Sequence, residues 1–268
     1  MNRHIAELAG PTLASRITKD SIVVIPTGAI EHHGPHLPLV TDVLLAEAVG
    51  SAAVERAAEE GLEVWQLPTL AYTKSDEHSW ALGTVWLDAE TVFRTVVEVG
   101  RAVELMGAGT LVFVNGHGGN VALLQVALRE IRKRFGLKTF LMPSLAPAAP
   151  PAGEGLDEHG LGIHGGAAET SLVLHLRPDL VDLSLAERWV PEHLADFGLI
   201  GFNGRPVSFG WLSNDFGTPG VVGDPTQATA EYGRVLWEAS VEQAVASLRE
   251  ISRFEHARAR VAAGPLPA

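Results

Sequence analysis

The chain has 268 residues, 46% of them hydrophobic and 19% charged, a composition that builds a sizeable core and excludes a disordered chain. A formal net charge of −12 argues against a nucleic acid or an anionic membrane as partner, since both want a basic face. With no cysteine, disulfides and thiolate ligands are excluded, and any metal must rest on His, Asp and Glu.

The first twenty residues contain no apolar h-region, and no apolar run approaches the roughly 20 residues of a membrane span, so a cytoplasmic protein is expected. Residues 21–25 (SIVVI) read as a buried strand ended by Pro26. Residues 26–42 (PTGAIEHHGPHLPLVTD) are too rich in Gly and Pro for a helix and form a strand-to-helix loop. The helix that follows is capped by Thr41 or Asp42, carries Leu44, Leu45, Ala48, Val49 and Ala52 on one face, fades near Glu59 and stops at Gly61.

Residues 62–67 (LEVWQL) form a second strand, 71–83 a polar loop, 84–87 (TVWL) a short β-like piece, and 88–106 a helix with Asp88 near its cap. Residues 110–114 (TLVFV) are the clearest buried strand, running into NGHGGN at 115–120, a helix at 121–135 and a strand at 137–142. Residues 143–162 hold four Pro and four Gly and read as a functional loop. Gly165 and Gly166 open a helix that stops before Pro178, residues 186–214 resist assignment, and 217–226 are turn-rich. An amphipathic helix runs from Ala228 or Thr229 to Ile251, and the last dozen residues are expected to be loosely held. Alternating strands and helices imply an α/β fold: a single-domain layered sandwich with a mostly parallel sheet flanked by helices. One domain spans 1–268, with its core at 20–252 and a long active-site loop at 143–163.

Loops of this kind lie at the carboxyl ends of strands, where ligands bind. Glu31 and His33 point to one side of an extended backbone, and with Asp42 they offer a divalent ion oxygen and nitrogen ligands. His32 and His36 compete for the same roles, although an extended loop turns His32 away. NGHGGN lacks the Lys and Ser/Thr of a P-loop and does not match GxGxxG; it presents His117 at a strand tip instead. His164 at a loop-to-helix junction is a candidate general base or acid, and Glu169 falls in a first helical turn, where the helix dipole favours a carboxylate. Asp76, Glu77 and His78 (in KSDEH) either line a pocket rim or belong to a solvated loop.

Together GAIEHHGPHLPLVTD, NGHGGN, IHGGAAETS and GVVGDPTQATAEYG resemble, in order, four stretches of the creatininase (creatinine amidohydrolase) family. The resemblance implies a metal-dependent hydrolase of an amide or cyclic amide C–N bond, with a small-molecule substrate. It also implies two divalent ions per subunit (zinc, manganese or iron) and a homo-oligomer, often a hexamer. By match to the motifs, Glu31 and His117 hold one ion, His33 holds the other and Asp42 bridges them. Glu169 completes the set, because the family's Glu in the second motif is here Gly119. His164 matches the catalytic His, but the Glu that precedes it in creatininase is here Ile163, for which Glu158–His159 is a substitute. The loop 143–163 also lacks the tryptophans with which creatininase covers its substrate. A mycofactocin-type peptidase and a formamide deformylase of the same family are alternatives, as is a non-catalytic binding protein on this fold.

Overall fold

Four apolar runs become strands, and the two at the centre of the sheet are buried throughout. The computed structural model describes residues 2–151, 156–202 and 204–257. In it β1 (Ile22–Thr27), β2 (Val64–Gln66), β3 (Thr110–Asn115) and β4 (Lys138–Pro143) form one parallel sheet in the order β2-β1-β3-β4. Residues 258–268, which include most of the segment expected to be loosely held, lie outside the described residues, as do 152–155 of the long loop.

The helices are α1 (Gly10–Ala14), α2 (Thr41–Glu59), α3 (Ala89–Leu105), α4 (Val121–Phe135), α5 (Ala167–Leu176) and α6 (Ala230–Arg253). On one face of the sheet Val23, Ile25, Leu111 and Phe113 pack with α3 and α4 through Val92, Val96, Leu124 and Ile131. On the other face Ile22, Val24, Val112 and Val114 pack with α2 and α6 through Val49, Ala53, Val245 and Leu248. Burying each large side chain contributes about 1.5–3 kcal/mol, which makes the sheet a rigid platform for the loops at its edge. Three layers result, and among the described residues no helix is long and apolar enough to cross a membrane.

Some boundaries differ from the sequence reading for local reasons. Pro26 continues β1 instead of ending it. Its carbonyl accepts from Leu70 N on the β2 side, where β2 has already ended at Gln66, so the missing N–H costs no ladder bond. Residues 84–87 contribute only a single bridge, Ile30 to Val85. Val40, not Thr41 or Asp42, occupies the cap position of α2; Thr41 bonds Pro38 O instead, and Asp42 lies buried in the first turn. The predicted caps Asp88 and Thr229 do accept from Thr91 N and Tyr232 N.

The order β2-β1-β3-β4 reverses direction between β1 and β3, because the chain leaves β1 toward one edge and β3 toward the other. A crevice therefore opens at their carboxyl ends. Two glycines bring the start of α2 into it. A Cβ on Gly28, just after β1, would lie 2.5 Å from Val43 N, and one on Gly116, just after β3, would lie 2.5 Å from Asp42 O. Neither position tolerates a side chain, and Asp42 is thereby pressed between the two strand ends.

Candidate metal centre

The crevice gathers groups from four separate segments. Asp42 spans two imidazoles: Oδ1 lies 3.0 Å from His33 Nε2, and Oδ2 lies 3.1 Å from His117 Nδ1. Glu31 Oε2 is 3.2 Å from the same His117 Nδ1 and accepts from Ser75 Oγ at 2.5 Å. One ligand atom from each of Glu31, Asp42 and His117 falls within 4.8 Å of the others, and the same holds for His33, His164 and Glu169. All five residues expected to hold metal, together with His164, thus meet in one place.

The imidazole orientations follow from what their other nitrogens touch. His33 Nδ1 donates to Glu31 O at 3.1 Å, His117 Nε2 to Lys74 O at 2.7 Å, and His164 Nε2 to His32 O at 2.7 Å. A carbonyl only accepts, so each of these nitrogens carries the hydrogen. The remaining nitrogen of each ring faces the carboxylates, which is the arrangement a metal-binding histidine needs. Glu31 Oε1 is buried with no hydrogen-bond partner, and Asp42 Oδ2 meets only the His117 ring nitrogen. Orphaned carboxylate oxygens are costly unless a cation meets them. Hard oxygen and borderline nitrogen donors in this geometry fit zinc or manganese.

Protonation follows the same geometry. Burial opposes charge on His33, but the Asp42 and Glu31 carboxylates override it and hold this imidazole up to about 10. His117 is likewise raised against burial by Glu31 and Asp42. Asp42 is pulled down in spite of its burial by His33 and His117. Burial pushes Glu169 up to about 7, with nearby His33 opposing. His164 is held well below the usual histidine range by burial and by the neighbouring charges of His33 and His78.

Glu169 Oε2 accepts from Gly165 N at 2.6 Å, so the third motif folds back on itself to present this carboxylate. His36 is buried and takes no place among the candidate ligands. Its Nε2 reaches Gly165 O at 3.1 Å and Thr170 Oγ1 at 3.0 Å, tying the first motif to the third. His32 turns away and donates to Pro219 O at 2.8 Å. Glu158–His159 does not replace the missing Glu at position 163. Glu158 Oε1 accepts from Ala167 N (3.1 Å) and Asp224 N (2.6 Å), and a Cβ on Gly166 or Gly223 would lie 2.6 or 2.8 Å from it. This buried carboxylate staples the start of α5 to the GVVGD turn, whose Val222 bridges His164. His159 is paired with Asp157 instead.

The sequence reading undervalued residues 74–78. They form a tight turn, not a solvated loop, with Glu77 and His78 buried. The His78 ring stacks on His164 with centroids 4.1 Å apart, and its Nε2 lies 3.5 Å from Glu31 Oε1. Glu77 Oε1 is 3.3 Å from His117 Nε2 while Oε2 bonds Lys74 Nζ at 3.1 Å, and His117 holds Glu77 down at about 2 against the effect of burial. A Cβ on Gly119 would stand 2.9 Å from Glu77 Cδ, so Glu77 fills the space that a side chain at 119 would need. The signal for this turn was its density of acids beside a histidine.

A cavity of about 570 Å³ leads to the centre, with Glu31, His78, His117 and His164 on its floor. An α/β sandwich with a buried carboxylate–imidazole centre at its switch point defines a metal-binding hydrolase. The chain belongs to the creatininase family: the family model, described as creatinine amidohydrolase, matches residues 6–248. It is 35% identical over 255 residues to the mycofactocin precursor peptide peptidase of Mycobacterium tuberculosis (strain CDC 1551 / Oshkosh), covering 93% of this chain and 92% of that one. It is 29% identical over 263 residues to the creatinine amidohydrolase of Pseudomonas putida, covering 92% of this chain and 96% of that one. Among solved structures, a manganese form of creatininase superposes with a TM-score of 0.73 at 27% identity, covering 94% of this chain and 100% of that one. A Zn–Zn form of a creatininase mutant gives the same TM-score and identity.

Proposed function

We propose that this protein hydrolyses the C–N bond of a small or cyclic amide at a centre of two divalent ions, zinc or manganese. Glu31 and His117 would hold one ion and His33 and Glu169 the other, with Asp42 placed to serve both. One observation carries the reading: the two Asp42 oxygens face two different imidazoles at 3.0 and 3.1 Å, each ring turned by a carbonyl behind it. When bound, two such ions polarise a carbonyl and activate water. His164 stays neutral, with Nε2–H fixed on His32 O, so its inward Nδ1 is an acceptor for the proton that water gives up. The same ring then returns that proton to the departing nitrogen. Ser75 holds Glu31, Glu158 holds the His164 turn, and the fit of the floor excludes bulk water.

Charge narrows the substrate. Lys74 is the one basic side chain of Lys/Arg type on the cavity wall among the described residues, and its ammonium is held by Asp76 at 2.7 Å and Glu77 at 3.1 Å. Lys74 offsets only one of these two acids and has no ammonium to spare for a phosphate, which disfavours the deformylase alternative. Cleavage of a peptide is the second reading, favoured by the higher identity to the peptidase relative. A homo-oligomer, a hexamer by family analogy, is supported by the exposed apolar side chains Tyr72, Leu82 and Trp86, which stand 62, 99 and 44% exposed. A chain without cysteine accords with the cytoplasm.

The test is metal content together with hydrolysis of creatinine, cyclic ureides, N-formyl amines and short peptides, with and without chelator. Two ions per chain and chelator-sensitive cleavage are expected. A protein that binds no divalent ion, or that binds metal and cleaves none of the panel, overturns the reading.

A further inference from the structure

Part of the cavity wall is built of rings. Phe202, Phe209 and Trp211 line it, with the Phe202 centroid 5.5 Å from Phe209 and 5.6 Å from Trp211. Phe216 touches all three, at 5.5, 6.3 and 5.7 Å, without lining the cavity itself. None of the four belongs to any of the three apolar cores, so they do not hold the sandwich together. All four are only partly buried. A cluster of aromatic rings that serves no core and faces the approach to a reactive centre has one economical use: to receive a flat apolar group.

The wall is anchored to the centre. Ser213, fully buried just beyond Trp211, accepts from Trp80 Nε1 at 2.8 Å and donates to Glu77 O at 3.3 Å. Through Glu77 this places the rings at a fixed distance from His117. No charged side chain lines the cavity between positions 201 and 212. With Asp76 and Glu77 outnumbering Lys74 elsewhere on the lining, the space suits an uncharged ring and repels an anionic one.

We propose that Phe202, Phe209 and Trp211, backed by Phe216, form a subsite for an uncharged aromatic ring carried by the substrate near its scissile amide. This rests on the metal-hydrolase reading above. The probes are hydroxamic acids, whose head group chelates metal regardless of the true substrate. Acetohydroxamic acid reports the centre alone, 2-phenylacetohydroxamic acid adds a flat ring, and 2-cyclohexylacetohydroxamic acid adds a puckered one. Binding is measured calorimetrically to the full chain loaded with zinc or manganese.

The phenyl compound is expected to bind at least tenfold tighter than acetohydroxamic acid and tighter than the cyclohexyl compound. The Phe209→Ala/Trp211→Ala double variant is expected to lose that gain and to keep wild-type affinity for acetohydroxamic acid. Trp211→Phe should restore most of the gain, which a collapsed wall would not. Acetohydroxamic acid binding with no gain from the phenyl ring removes the subsite and leaves the metal centre standing. A gain that persists in the double variant, or that the cyclohexyl compound equals, also overturns the subsite. A loaded protein that binds none of the three removes the metal reading and the subsite together.

Discussion

Gly119 is where this chain departs most plainly from the creatininase pattern, and a single methyl group there tests whether Glu77, which fills the space beside it, supports His117. Gly119 is not among the glycines at positive φ, so alanine imposes no backbone strain. Its Cβ would sit 2.9 Å from Glu77 Cδ and closer still to Glu77 Oε1 and His117 Nε2, where ordinary contacts need at least 3.4 Å. The carboxylate cannot yield freely: it touches His117 Nε2 at 3.3 Å and Lys74 Nζ at 3.1 Å. Either Glu77 leaves both partners or His117 turns away from Asp42. Lys74 O still holds His117 Nε2 at 2.7 Å, so losing the longer Glu77 contact should cost metal affinity at the lower end of what such partners contribute, about tenfold or about 1.4 kcal/mol. Crowding a packed site costs about 1–3 kcal/mol of stability in addition.

The assay is competition with a chromophoric chelator for zinc, alongside thermal unfolding of the metal-free protein. Gly118→Ala is the control, since a Cβ there meets nothing within 4 Å. It should stay within about 0.5 kcal/mol of wild type. If Gly119→Ala takes up zinc as tightly as Gly118→Ala, Glu77 does not support His117 and the reasoning fails.

Four further outcomes are expected. Asp42→Ala should lose both ions and all turnover, read by metal analysis; a variant that keeps near wild-type turnover contradicts the bridging role. Glu169→Gln should lower occupancy of one ion while sparing the other, and two full sites would mean that another group completes the shell. Glu158→Ala leaves Ala167 N and Asp224 N without their acceptor, at about 1–3 kcal/mol. Its kcat should fall because His164 moves, and occupancy of the ion proposed at Glu169 should fall with it, since Glu169 shares the first turn of α5 with Ala167; an unchanged kcat counts against the staple. His36 is held neutral by burial, its pKa down to about 4 from an ordinary 6.5. The unfolded chain therefore takes up a proton there first, so this stability is fully present above about pH 6.5 and is lost as pH falls through about 4. Denaturant melts of the metal-free protein should show that slope, and His36→Asn should flatten it; an equal slope in both would exclude His36 as its source.

The layered fold was legible because the two central strands, β1 and β3, are buried throughout and read as nearly unbroken apolar runs. Glu31, His33, Asp42, His117 and Glu169 stood out as candidates because the short, Gly-rich junctions that carry them resemble the family's motifs. What sequence could not supply lies in contacts across long separations. Gly28 and Gly116 matter through the backbone of α2, and Glu77 matters because position 119 is empty. Phe202, Phe209 and Trp211 fell in 186–214, where no period marks an element, and only the folded chain collects them with Phe216. Pro26 misled because its missing donor was judged without knowing that β2 stops short.

The charges around Asp42 bear on how the protein comes to be loaded. Without metal, two cationic imidazoles, His33 and His117, lie against two carboxylates, Glu31 and Asp42, and the four formal charges cancel. Protons thus hold the places of ions. On the two-ion reading proposed above, a newly made chain would close its core before it meets metal, and loading would be an exchange in which an entering cation expels a proton from a histidine. Uptake should then quicken and tighten as the surroundings become more alkaline, and mild acid should empty the centre of a protein that stays folded.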